Sequence, residues 1–566
     1  MESAISKGLG RQGVGLVTLC VLALVVGSVT GVGAIALRAL IGLIHNVFFF
    51  GEFSTFYDAN QPTPPSPWGP FIILAPVIGG LGVVWLVKNF APEAKGHGVP
   101  EVMYAIYYRD GRIRPSVALI KSLASALSIG SGASVGREGP IIQIGSTIGS
   151  ALGQLLRLPN WQMITMVAAG AGAGIAATFN TPLGAVMFAL EIMLPEVSAR
   201  TFLPVVLATG TATFVGQMFF GIAPAFIVPA TSHQELLFPT PAPFLPIYVI
   251  LGLLCGLAST LFVRMLYWME DRFDEIPGGE YVRAIIGMGT VGVLMYVLFL
   301  SFGQYHTEGV GYATIQSVLR GDLTLPWLLA LLFVAKLVAT TVSMGGGASG
   351  GIFSPSLFLG ATLGGAFGSA LNLLWPAVGF NPILFAIIGM GAVVGGTTGA
   401  AMTAIFMIFE MTGDYGTIVP VIIAVAVSIG LRRALLDENI YTLKLARRGH
   451  PIPKVRHTNM FLVRPVTEAA TPIVGSDSEP GTEGFRVAVR GRRIVGIVPP
   501  GGGRTIRRFI VARDDDILHN VMKRMSRRDA AAALVVKGKG VPREENVVGV
   551  ITRDGIADTI LKHFGE

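Results

Sequence analysis

An eleven-residue pattern that occurs twice constrains this chain more than any other feature. Residues 130–140 read GSGASVGREGP and residues 345–355 read GGGASGGIFSP. Without a gap they share Gly130/Gly345, Gly132/Gly347, Ala133/Ala348, Ser134/Ser349, Gly136/Gly351 and Pro140/Pro355. The match extends both ways. Lys121 falls on Lys336 and Ser128 on Ser343, then Gly145, Thr147 and Gly149 on Gly360, Thr362 and Gly364. After a four-residue shift, Gly170, Gly172, Ala173 and Glu191 fall on Gly389, Gly391, Ala392 and Glu410. Shared glycines alone would say little, but shared Lys, Pro and Glu mark a duplication. Two copies of one apolar unit predict a transporter-like body whose site lies where the halves meet, near the bilayer midplane.

Charge is sparse and uneven. Charged residues are 13% of the 566, hydrophobic residues 52%, and the mean hydropathy is +0.64. This excludes a disordered chain, a nucleic-acid binder and an ordinary soluble enzyme. Residues 451–566 hold 20 Lys+Arg and 13 Asp+Glu, whereas residues 1–450 hold 22 and 21. The break predicts a membrane body over 1–450 and a cytoplasmic domain over 451–566. Cys20 and Cys255 both sit in apolar segments and read as packing residues, with no disulfide framework, metal site or haem motif.

Apolar stretches recur through the front, from 14–44, read as the first membrane helix, to 417–431. Several, such as 182–194 and 400–411, are shorter than the roughly 20 residues that span a bilayer. Short apolar helices survive only inside a protein, lining a site, because lipid cannot satisfy free backbone groups.

Each repeat runs from glycines to a Pro and then into an apolar helix. Gly permits the turns, Pro suits a first helical turn, and the free N–H groups there carry a partial positive charge. Two such starts converging form a pocket of backbone donors for an anion. A full positive charge would hold the ion too tightly for conduction. Glu138, at one start, is then a tethered anion that competes with a mobile one and leaves on protonation.

These residues resemble the CLC family of chloride channels and proton-coupled chloride exchangers, over about residues 15–445. GREGP (Gly136 to Pro140) is similar to the family's outer anion motif, with Glu138 as the external gating glutamate and Arg137 and Gly139 beside it. GIFSP (Gly351 to Pro355) is similar to the partner motif, whose Ile352 and Phe353 amides would bind the central ion, with Ser354 a further anion-binding residue. GHGVPE takes the place of the first anion motif, through Gly96, His97 and Gly98. Tyr441, in NIYTLK, matches the pore tyrosine. The resemblance implies an all-α polytopic fold of inverted repeats with broken, part-spanning helices. It also implies a homodimer in the plasma (inner) membrane, with one chloride pathway per subunit, protons acting at Glu138, and no cofactor.

Two departures shape the functional expectation. His97 stands where the family usually has Ser, so an imidazole would replace a hydroxyl at the ion, with a charge state able to change near neutral pH. Ile192 stands where many exchangers carry an inner proton-route glutamate. Passive, channel-like chloride conduction gated by Glu138 is therefore preferred. Chloride/proton antiport by a route that needs no glutamate at Ile192 is the alternative. Glu191, paired with Glu410 by the repeat, reads as a helix-end residue, and Lys121 and Lys336 as makers of one shared structural contact. For Arg137 the backbone amide is favoured over the side chain as the ion ligand. Arg38 is a further buried-looking cation.

From about Phe509 the tail resembles the second half of a CBS pair, spanning about 505–566. FIVARDDDILHNVMKRM reads as a strand, an acidic N-cap run at Asp514 to Asp516 and an amphipathic helix. AAALVVKG and NVVGVITRDGIADTI read as strand, loop, strand and helix. Residues 460–500 read as a shortened first unit with a polar loop at Gly475 to Gly484. Gly555 stands where such motifs carry an acidic ribose contact, so nucleotide binding is disfavoured. An organic-solute transporter would not need paired glycine–proline anion motifs, and a cation transporter would line its path with carboxylates. An enzyme is disfavoured, since GSGASVG has the spacing of neither a dinucleotide fingerprint nor a P-loop.

Overall fold

The structure is a computed structural model describing residues 13–229, 244–414, 416–452, 465–474, 484–491, 493–538 and 542–564. It contains two compact units, a helical body running to Pro451 and a smaller mixed domain built on residues 452–566.

The duplication is visible helix by helix. The first half carries α1 (Leu16–Phe50), α2 (Leu74–Phe90), α3 (Val99–Tyr108), α4 (Ser116–Gly130), α5 (Glu138–Leu155), α6 (Asn160–Phe179), α7 (Pro182–Phe188, extended by a π turn at Ala189–Met193) and α8 (Ala199–Phe220). The second repeats the order with α9 (Leu245–Glu275), α10 (Gly279–Phe302), α11 (Tyr312–Arg320), α12 (Pro326–Gly345), α13 (Phe353–Leu374), α14 (Pro382–Thr398), α15 (Ala401–Thr412) and α16 (Ile418–Leu435). The short α17 (Thr442–Arg447) follows. Among the described residues nine helices are long and apolar enough to cross a membrane, while α4, α7, α14 and α15 are apolar but shorter. The short amphipathic pair α3 and α11 has no counterpart among the apolar stretches, because hydropathy alone does not mark it.

The repeat's glycines mark where helices cross. A Cβ on Gly145 would lie 2.1 Å from the Gly170 carbonyl, and one on Gly360 would lie 2.3 Å from the Gly389 carbonyl. Helices α5 and α6, and likewise α13 and α14, thus touch backbone to backbone, as membrane helices do through small residues.

Other repeated residues hold the broken helices. The Glu410 carboxylate, in the last turn of α15, accepts from the amides of Leu183 (3.0 Å) and Gly184 (2.8 Å) at the start of α7. Glu191, at the end of α7, accepts from the amides of Met402 (3.0 Å) and Thr403 (2.8 Å) and from the Thr403 hydroxyl (2.7 Å) at the start of α15. Each carboxylate caps the other's helix, satisfying donors that lipid would leave bare. The helix-end role read from the repeat is what the structure contains. Lys121 and Lys336, both fully buried, also repeat one contact. The first donates to the carbonyls of Ala94 (2.9 Å) and Gly96 (2.7 Å), the second to those of Thr307 (3.2 Å) and Gly309 (2.9 Å).

In the smaller unit, β1 (Arg486–Arg490) and β2 (Arg493–Val498) form an antiparallel hairpin. Strands β3 (Phe509–Arg513), β4 (Ala532–Val536) and β5 (Val547–Thr552) form a sheet with β3 parallel and β5 antiparallel to β4. Helices α18 (Leu518–Arg527) and α19 (Arg553–Phe564) complete the strand–helix–strand–strand–helix order read from the sequence. The loop from Gly475 lies outside the described residues apart from Gly484, as do residues 460–464 of the same unit. One local expectation is corrected. The acidic run does not cap α18, whose N-cap residue is Ile517. The Asp516 carboxylate instead accepts from the Arg513 amide (2.8 Å) and pairs with Arg524, a stronger, charged partner. The Thr552 hydroxyl accepts from the Gly555 amide (3.0 Å), a local helix-start contact.

Replacing Glu410 with Leu removes the cap on α7 without shortening the side chain much. We expect a loss of about 1 kcal/mol or more, seen as a lower thermal unfolding midpoint in detergent, with Glu191→Leu behaving alike. Unchanged midpoints in both would show that the caps carry no stability.

Candidate anion site

The two glycine motifs meet directly. Gly136 donates to the Gly351 carbonyl (2.7 Å) and Gly351 donates back to the Gly136 carbonyl (2.5 Å). Gly351 could not carry a side chain here, since its Cβ would lie 2.6 Å from the Gly139 amide nitrogen. Around this pair, Ser134 N donates to the Ser343 hydroxyl (3.1 Å), and Gly96 and Ser349 form a further backbone bridge. Helix α5 starts two residues after Gly136 and α13 starts two residues after Gly351. The mutual pair therefore sets two helix starts side by side, each with amides that lack partners inside the helix.

Glu138, the first residue of α5, is 1% exposed. Its Oε1 accepts from the Tyr312 hydroxyl (2.5 Å) and the Ser354 hydroxyl (2.5 Å). Its Oε2 faces the Ser354 amide at 3.3 Å, in the first turn of α13. The two hydroxyl oxygens are 2.9 Å apart. The carboxylate of one half thus lies on the helix start of the other, where the converging motifs favour an anion. Ile352 and Phe353, just before Ser354, are buried at that start, and the Phe353 ring packs 5.9 Å from that of Phe179.

The first motif lies against the same place. Gly96 (φ 78°) and Gly98 (φ 83°) make turns that suit glycine, and a Cβ on Gly139 would meet the His97 carbonyl at 2.1 Å. The His97 ring is 1% exposed, and neither ring nitrogen has a hydrogen-bond partner. An unpaired buried imidazole is costly, and a water or an ion at the ring would satisfy it. Its ring lies 6.0 Å from that of Tyr441, itself buried. The Asn439 side chain positions Tyr441, accepting from the amides of Tyr441 (2.9 Å) and Thr442 (2.8 Å).

Two other positions stand apart. Ile192 is buried in the π turn that ends α7, an apolar side chain that cannot carry a proton. The Arg137 guanidinium lies 5.3 Å from the centre of the Tyr312 ring.

Tyr312 is the site residue that sequence reasoning missed. Its signal was present. Gly309-Val310-Gly311 before Tyr312 echoes Gly96-His97-Gly98 before Val99, and Lys336 holds Gly309 as Lys121 holds Gly96. A two-residue shift in the loop hides the echo from an ungapped alignment.

The family described as voltage gated chloride channel matches residues 79–433. The chain belongs to this CLC family. It is 31% identical over 433 residues to the H(+)/Cl(-) exchange transporter ClcA of Salmonella agona, covering 75% of this chain and 88% of that one. A solved slow cyanobacterial Cl-/H+ antiporter is 28% identical with a TM-score of 0.64, covering 76% of this chain and 97% of that one. A eukaryotic CLC transporter, 20% identical with a TM-score of 0.64, shares the fold over 95% of this chain and 98% of its own. As a CLC protein the chain is an integral membrane anion transporter and not an enzyme.

Two outcomes follow from the site. Tyr312→Phe removes one donor from the Glu138 carboxylate, so an external anion displaces it more readily. The half-saturating anion concentration should fall several-fold, as the loss of one charge-assisted hydrogen bond allows, and an unchanged value would show that the bond does not hold the gate. His97→Ser should change anion affinity by a similar factor across the range from about pH 5 to about pH 8, read by titration calorimetry, because a hydroxyl then stands in place of the buried, unpaired ring. Identical curves for both proteins would remove the imidazole from the site.

Proposed function

We propose that the chain carries chloride across the membrane along one pathway per subunit, with Glu138 as its gate. The observation that carries this reading is the Glu138 carboxylate seated on the first turn of α13, held by the Tyr312 and Ser354 hydroxyls. A carboxylate in that position excludes chloride by occupying its donors. Protonation removes its charge and weakens its hold on those donors, so chloride can take them. Gly96, His97, Gly98, Arg137, Gly139, Ile352, Phe353, Ser354 and Tyr441 form the anion-binding set, with His97 offering a ring N–H and Arg137 its backbone amide.

The sequence led to a preference for passive conduction; we favour the alternative, proton-coupled exchange. Two of the relatives named above, ClcA of Salmonella agona and the cyanobacterial antiporter, exchange H+ for Cl-, and a gate that leaves on protonation can take part in such exchange if its proton is released to the opposite face. Ile192 favours passive conduction, so exchange requires an inner proton route that avoids this position. The protein works as a homodimer in the plasma (inner) membrane. Residues 1–450 form the transport domain and residues 451–566 a cytoplasmic CBS-like domain. The tail acts in dimer contact or tuning of the gate rather than nucleotide binding.

In reconstituted vesicles, the unaltered protein should move chloride, and Glu138→Gln should abolish the pH dependence of that flux. Under a proton gradient, the reversal potential should shift away from the chloride equilibrium potential. No chloride flux would end the proposed function; flux with no shift would leave passive conduction in place of exchange.

A further inference from the structure

A cavity of about 500 Å³ opens beside the Glu138 latch, with Arg38, Arg137, Tyr312, Asp58, Asn180 and Gln217 among its lining residues. From its position and chemistry we infer that this basin is a staging site for a small monovalent inorganic anion, bound by the guanidinium groups of Arg38 and Arg137 before it reaches the helix starts. The inference rests on the chloride-transport reading and adds to it a second site, built on the side chains of Arg38 and Arg137.

Charge is the first support. Arg38 lies on α1 twelve residues before its C-terminal end, within a membrane-length apolar helix. An arginine at such depth is costly and needs a reason. Neither Arg38 nor Arg137 belongs to an ion pair among the described residues. The charged groups that act on Arg38 are Arg137, which repels it, and Asp58. Asp58 already accepts from the Asn60 amide (3.0 Å). The charges of Arg137 and Asp58 oppose each other at Arg38, and its own positive charge is left without an ion-pair partner.

Donor geometry is the second. The side-chain amides on the wall are committed to the protein: Gln217 donates to the Asn180 side chain (2.8 Å), and Asn180 donates to the Ile222 carbonyl (3.0 Å). Arg137 Nε, by contrast, is buried with no partner. Each guanidinium lies over an aromatic ring, Arg38 at 4.3 Å from the centre of Phe220 and Arg137 at 5.3 Å from that of Tyr312. Stacking on a ring fixes the plane of a guanidinium and leaves its N–H edges for an acceptor.

Connection to the gate is the third. Tyr312, beneath Arg137, donates to Glu138. An anion held at Arg137 is therefore one side chain away from the latch it must replace, and a raised local concentration speeds capture.

The test uses the full chain with chloride set independently on each face of a reconstituted membrane. Arg38→Gln should raise the half-saturating chloride several-fold on the face that Glu138 gates, with a smaller change on the opposite face. Arg38→Lys, which keeps the charge, should recover most of the loss. In parallel, crystals of the unaltered protein soaked in bromide should show an anomalous peak between the two guanidinium groups. Equal changes on both faces, or no change together with no bromide peak, would overturn the staging site. An unaltered protein that moves no chloride would instead end the transport reading, and the bromide peak would still decide for or against the basin.

Discussion

Everything at the anion site depends on one pair of backbone hydrogen bonds, those exchanged between Gly136 and Gly351. The pair is reciprocal, so it lies where the two halves of the body meet on equal terms. Because each glycine precedes a helix by two residues, closing the pair delivers both helix starts to one place. A side chain at Gly351 would break the contact, since its Cβ would run into the Gly139 backbone. The electrostatics of the site thus arise from chain geometry, with partial charges of peptide groups in place of a fixed cation. That choice suits an ion that must leave as readily as it arrives.

Broken helices at membrane depth would be unstable without partners, and the same duplication supplies them. Glu191 and Glu410 cap each other's helices, while Lys121 and Lys336 hold equivalent loops through carbonyl groups. All four are charged residues in an apolar body, each matched with backbone groups of opposite partial charge. Where the halves differ, function enters. The first half contributes Glu138 and the second contributes Tyr312 and Ser354, which receive it. Similarly, His97 lies between two glycines in one half and Val310 in the other. The duplication builds the frame, and its asymmetries build the gate.

Much of this was legible in the amino-acid order. The repeat located the helix starts, the paired glutamates and lysines, and the glycines at which helices cross. Alternating apolar and charged segments gave the strand and helix order of the small domain. The acidic run at Asp514 to Asp516 was misread because a carboxylate before a helix is ordinarily a cap. Here a guanidinium inside the helix, on Arg524, competes for Asp516 more strongly than the backbone amides do. Tyr312 escaped notice because its helix is short and amphipathic and its loop is shifted by two residues.

By itself the sequence determined that the chain is duplicated, that it crosses a membrane, and that its helices break at glycine–proline motifs suited to an anion. Those properties follow from residue types within a short stretch of chain, where composition and backbone preference act locally. Only the tertiary structure decided which hydroxyls hold Glu138, that both nitrogens of the His97 ring are free, and that Arg38 and Arg137 share a cavity. Glu138 and Tyr312 are 174 residues apart in the chain. No local preference links them, and they meet where the two halves of the helical body pair through Gly136 and Gly351.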